Sequence, residues 1–119
     1  PLRFLDYVLS APTLLVVTVD LSVVASTDKD LSRIGVVSGA SIYPLVWNIL
    51  LAARNEGYGG VMTTFAVAAE PAIQQLLGMP DHWALAAIVP LGKPRRQLTR
   101  LRRKPVAEIF CENRWGGGD

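Results

Sequence analysis

The segment Ser41 to Asn55 constrains the chain most, because it reads as a helix that is apolar on nearly every side. Ile42, Leu45, Val46, Ile49, Leu50 and Ala53 recur at helical spacing and form one stripe. Trp47 and Leu51 make the opposite side apolar as well. A helix of this kind has to be covered all round, so it belongs at the centre of a layered fold rather than on its surface. Ser38 or Ser41 can cap its start, Pro44 is tolerable in its first turn, and Gly57 is placed to stop it. The candidate cover is short. Leu2 to Leu9 has helical spacing, and Ala11-Pro12 breaks it. Thr13 to Val19 is a continuous β-branched and apolar run, expected to form a strand buried on both faces and ended by Asp20. Ser22 to Gly35 reads as a polar loop. Gly59 to Phe65 reads as extended chain. Glu70-Pro71 opens a short helix with Ile73, Leu76 and Leu77 inward, closed by Gly78. Trp83 to Val89 is a third strand, ended by Pro90.

Strands alternating with helices imply the α/β class (α+β in some schemes), a layered sheet with the central helix buried. Residues 1–119 are expected to form a single domain. Three strands are few for that helix, so part of the fold is expected to be missing at the N-terminus or supplied by a partner. Half the residues are hydrophobic, which excludes disorder for most of the length. The apolar run Ile42 to Ala53 is too short to span a bilayer, which needs about 20 apolar residues, so no membrane partner is expected. The single cysteine, Cys111, allows no intrachain disulfide and fits a reducing, cytoplasmic setting. It is read as a small packing residue.

Net charge is only +2, but more than half of the 12 basic residues lie between Lys93 and Lys104, with no acid among them. That cluster suggests one anionic contact, though solvated charge explains it too. Nucleic acid is not expected as a partner, because interleaved aromatics and a recognition helix are lacking. His82 has no spaced partner, and the loop around Asp28 and Asp30 lacks the further oxygen ligands of a calcium loop, so no metal is expected. No nucleophile–base pair is visible, and no catalytic side chain is assigned.

Gly39-Ala40-Ser41 leading into Asn48-Ile49-Leu50-Leu51-Ala52-Ala53 resembles the long central helix of nitroreductase-family flavoproteins. In the same order, Gly57-Tyr58-Gly59-Gly60 resembles that family's turn, and Val61 to Phe65 its flavin-flanking segment. Leu76-Leu77-Gly78-Met79-Pro80, Ala86 to Gly92, and Arg102-Arg103-Lys104-Pro105-Val106 follow its later segments. The resemblance covers the C-terminal half of such a protein. It implies an oxidoreductase that takes electrons from NAD(P)H (NADPH or NADH) through FMN to a nitro compound, quinone or similar small-molecule acceptor. It implies a homodimer, with each flavin bound by both subunits.

Carried over residue by residue, Arg103 grips the flavin phosphate, with Arg100 or Arg102 as a second contact. Met62, Thr63 and Thr64 lie along the ring after Gly60, and Ser41 offers a polar group at the helix start. Each has a plainer reading: a solvated loop for the arginines, an ordinary strand for Val61 to Phe65, and simple capping for Ser41. The alternative function is a non-catalytic remnant or interaction domain of the same fold, lacking a complete flavin site. A more distant one is an enzyme that remodels flavin.

Overall fold

The computed structural model describes residues 2–116, the first three of these by backbone only. Among them, helix α1 is Leu2–Leu9, strand β1 Thr13–Asp20, helix α2 Ile42–Asn55, strand β2 Gly59–Gly60, helix α3 Glu70–Leu77 and strand β3 Trp83–Gly92. Pro1 and the end of the expected frayed tail after Gly116 lie outside the described residues. The class is α+β, an antiparallel sheet with helices packed on it, as the alternation of strands and helices implied.

The sheet order is β1-β3-β2. The strand that comes last in the chain is therefore the central one. Leu85, Ala86, Ala87, Val89 and Pro90 of β3 are buried, and with Val46 of α2 they form the core. β1 pairs with β3 from Thr13 opposite Leu91 to Asp20 opposite Trp83. The expectation that β1 is buried on both faces is corrected here. It is an edge strand with no buried residue, and Leu14 and Val16 are exposed. A continuous apolar run marks a covered strand only where both neighbouring layers are present.

The register of β1 on β3 slips between Val17 and Thr18, which pair with Ala87 and Leu85, so Ala86 is an extra residue in β3. Such a bulge disturbs ladder pairing and leaves backbone groups that need other partners. Side chains from two helices supply them. Tyr43 of α2 donates its hydroxyl to the Ala86 carbonyl at 3.4 Å, and Glu70 of α3 accepts the Leu85 N–H at 2.5 Å. One turn further along α3, Gln74 donates to the Trp83 carbonyl at 2.8 Å. Helical spacing of four residues thus lays α3 along β3 through a polar pair.

Pro90 was expected to end β3, yet the strand runs through it to Gly92. Thr63 and Ile88 exchange N–H to carbonyl bonds in both directions at 3.0 and 2.9 Å. Antiparallel alternation makes Val61 and Pro90 the next bonded pair. Pro90 has no N–H to give, and the ladder is interrupted at Val61 and Met62 before resuming as Gly60 opposite Leu91. The proline is therefore tolerated inside the central strand, and it cuts β2 to two residues.

Both helix stops behave as read. Gly57 has φ of +80° and Gly78 of +64°, in the left-handed region that favours glycine. The start of α2 does not: Ser41 makes no side-chain capping bond, and no cap bond from Ser38 is present either. The lead into α2 is fixed from further back. Asp28, the buried polar residue of the loop, accepts the N–H of Val36 at 2.8 Å and of Val37 at 3.4 Å, and the Arg33 guanidinium at 2.8 Å. The Val36 N–H, then Arg33, holds its carboxyl below the usual aspartate value.

Cover for α2 is incomplete. Val46 is buried, but Trp47 and Leu51 are each more than half exposed, in line with the shortage of cover read from the sequence, and Leu45 of the apolar stripe is more than half exposed as well. In α3, Leu76 is 80% exposed and Leu77 is also out, so only Ile73 is inward as read. The accessible surface is 10015 Å², whereas a compact monomer of 12.9 kDa exposes about 6,300 Å². The radius of gyration, 17.7 Å, exceeds the roughly 13.5 Å of a compact chain of this length. Large apolar residues stand exposed on α2, on α3, in the loop after β1 (Val23, Ile34, Val36) and in the segment after Leu98, where Leu101, Val106, Ile109, Phe110 and Trp115 are all out. Cys111 is exposed too, so it is not a packing residue of this chain.

Candidate functional site

The turn after α2 is the best-built part of the candidate site. A Cβ on Gly60 would lie 2.5 Å from Leu91, 2.9 Å from the Pro90 carbonyl and 3.0 Å from Leu50. The close approach that Gly60 permits is thus with β3 and α2 themselves, and it fixes the segment that follows. Thr63 is locked to Ile88 by its two backbone bonds, and its hydroxyl accepts the Phe65 N–H at 3.2 Å. Because successive residues of extended chain alternate, the N–H groups of Met62 and Thr64 point away from β3. Met62 and Thr63 are half-buried and Thr64 is exposed.

Ser41 is exposed at the head of α2. Just before it, a Cβ on Gly39 would lie 2.5 Å from the Tyr43 ring, so glycine is needed there for the tyrosine to reach Ala86. Arg100, Arg102 and Arg103 lie exposed on irregular chain. Among the described residues, an ion pair joins Arg33 to Asp28, His82 Nε2 lies 4.0 Å from an Asp20 oxygen, and no ion pair engages a cation between Lys93 and Lys104. Those charges face solvent as free donors. Of the sequence-derived site residues, only Gly60 lines either of the two described cavities. Met62, Thr63 and Thr64 come together with Gly60 on one segment, while the three arginines form a separate exposed group.

Residues that hold this geometry escaped the sequence reading. Tyr43 had no role assigned, Glu70 looked like a helix opener, and Asp28 like half of a weak acidic pair. Only Glu70 before Pro71 carried a signal, an acid at the first turn of a helix. The arrangement offers backbone amides, cations and hydroxyls but no acid–base pair, so it suits binding and charge stabilisation rather than proton transfer.

The sequence profile of the nitroreductase family matches residues 3–93. The chain belongs to the nitroreductase family. Nitroreductase A from Vibrio parahaemolyticus superposes with a TM-score of 0.71 at 25% identity, over 92% of this chain and 48% of that one. The NADPH:FMN oxidoreductase from Vibrio harveyi, solved with NAD+, also gives 0.71, at 24% identity over 92% and 50%. The chain thus spans about half the length of these nitroreductase-fold proteins. Among curated proteins, the sulfolipid-1 exporter MmpL8 of Mycobacterium tuberculosis is 34% identical over 94 residues, which is 70% of this chain and 9% of that one. Among the described residues of this nitroreductase-family chain, no helix is long and apolar enough to cross a membrane.

Proposed function

We propose that this chain forms part of an FMN-dependent oxidoreductase that passes electrons from NAD(P)H through flavin to a nitro compound, quinone or similar small acceptor. The observation that carries this reading is the family match over residues 3–93, which includes the turn and the amides that follow it. The donor set fits the group. Met62 and Thr64 direct amides off the sheet, where a flat polar ring needs hydrogen-bond donors, and Gly60 keeps that backbone rigid. Arg103, with Arg100 or Arg102, supplies the planar fork that binds a phosphate dianion bidentately. Ser41 offers a hydroxyl at the head of α2. FMN, when bound, supplies the redox chemistry itself. The chain's own share is to orient the ring, to stabilise negative charge at its edge through fixed amides, and to hold the phosphate.

The same reading makes the chain one structural unit that works as a homodimer in the cytoplasm. The exposed apolar residues of α2 and of the segment after Leu98 support the homodimer, since clustered apolar residues left open on a monomer mark an interface. Purified protein, freed of unbound flavin, is expected to be yellow or to become so after incubation with FMN and desalting, and to quench flavin fluorescence at a saturable site. Colourless protein that takes up no FMN, in any assembly state, overturns the reading in favour of a non-catalytic domain of the same fold.

A further inference from the structure

A groove that meets the candidate flavin segment only at Gly60, in its smaller lobe, is otherwise lined by side chains that no role above uses. Its larger lobe, of about 680 Å³, lies between α1, the end of β3 and the chain that follows. Asp6 and Tyr7 of α1 line it together with Lys93, Arg95 and Arg96. A smaller lobe of about 290 Å³ shares Tyr7 and Arg96 and adds Arg54 and Tyr58. Together these volumes lie in the range of small-molecule sites.

The groove is held in shape. Gly92 pairs with Gly59 at one end of the strap that carries the cations. At the other end, Arg54 donates to the Leu98 carbonyl at 3.2 Å, tying the strap to the end of α2. The floor leaves no slack: a Cβ on Gly92 would lie 2.9 Å from Pro12, and one on Gly59 3.1 Å from Pro94. Among the described residues, Lys93, Arg95 and Arg96 join no ion pair, although Asp6 lines the same lobe. Three cations on a pinned strap, uncompensated, form a site for a multivalent anion.

The rest of the lining says what that anion carries. Tyr7, which lines both lobes, and Tyr58, which lines the smaller one, are partly exposed rings, and a planar base can stack on either. Asp6 would repel a bare phosphate, but its carboxylate accepts bonds from a sugar diol. Cations, a ring platform and a lone carboxylate match the phosphates, base and ribose of one molecule. We propose that this groove binds a nucleoside diphosphate, with the phosphates on Lys93, Arg95 and Arg96, the ribose hydroxyls on Asp6 and the base against Tyr7 or Tyr58. The site is separate from the flavin reading and stands or falls without it.

Titration calorimetry of the full chain with ADP, with inorganic pyrophosphate and with FMN tests this. ADP is expected to bind at one site per chain and more tightly than pyrophosphate. Lys93→Ala and Arg96→Ala should each weaken ADP about 10- to 100-fold, the effect of losing a charged hydrogen bond. Asp6→Ala should weaken ADP while leaving pyrophosphate unchanged or tighter. Arg103→Ala should leave ADP binding unaltered, and saturating FMN should not displace it. The proposal is overturned if ADP does not bind, if pyrophosphate binds as tightly as ADP, if FMN displaces ADP, or if Arg103→Ala costs as much as Arg96→Ala. Protein that binds ADP yet takes up no FMN would sink the flavin reading alone.

Discussion

The β3 strand and the segment after Leu98 both carry large apolar side chains, and these end in opposite states. Around β3, nearly every backbone group that the bulge and the proline disturb is met by a specific partner, from Tyr43, Glu70, Gln74 or Thr63. From Leu98 to Gly116 every residue is exposed, and its ordered feature is a short 3-10 turn at Val106–Glu108. Trp115 is 96% exposed. The contrast teaches that apolar content says how much a chain must hide, not whether it hides it against itself. The core region meets its own needs, while the large side chains of the tail find no cover among the described residues.

The largest expected effect tests the tail. Sedimentation at micromolar concentration should show a dimer, and changing both Phe110 and Trp115 to alanine should weaken it by about 4 kcal/mol, as for paired aromatic anchors. A monodisperse monomer before substitution would break the comparison. Next comes the core turn. Gly60→Val should lower unfolding stability by about 3 kcal/mol in urea, because the Pro90 carbonyl cannot move aside for the new carbon. Unchanged stability would show the turn to be loose.

Arg103→Ala should weaken FMN by about 1.5–3 kcal/mol with little change in melting temperature, whereas Arg95→Ala should do much less to FMN. Equal effects would make the tail a diffuse charged surface. Glu70→Ala should cost about 1–2 kcal/mol, because the Leu85 N–H loses its acceptor, and Glu70→Gln should recover most of that. If both variants melt together, the bulge does not need its helix.

The smallest effect concerns Asp28. Its folded-state pKa is depressed, so it adds stability above its ordinary pKa and loses it as pH falls through the lower folded value. Melting temperature should therefore drop on the acid side in the wild type, and Asp28→Asn should flatten that limb. An identical acid limb in both proteins would remove Asp28 as the loop's anchor.

Much of the local structure was legible. Spacing gave the bounds of α1, α2 and α3, glycine gave both helix stops, and the β-branched run gave β1. These are effects of neighbours a few residues apart. The burial of β1, Leu45, Leu76 and Leu77 was not legible, because it depends on which layers exist above them. The extra residue at Ala86 left no mark in Trp-Ala-Leu-Ala-Ala-Ile, and Pro90 looked like an end because its tolerance rests on the two-residue partner strand opposite. For the candidate site, the motif order located Gly60 to Thr64, and the family match covers that segment. The roles of Tyr43 and Asp28 emerge only once residues far apart in sequence are adjacent.

The pairing of β1 with β3 also sets a schedule. Thr13 meets Leu91 and Asp20 meets Trp83, so β1 is made well before the strand it pairs with here, and this ladder must wait for β3. On a ribosome that leaves a β-branched, uncharged run without its ladder while α2 and α3 are synthesised and extruded. Non-local strand pairing of this kind folds slowly. An unpaired edge of that composition is a template for another chain. Yield of soluble protein should therefore respond to growth temperature and to chaperone supply more strongly than its final stability would suggest.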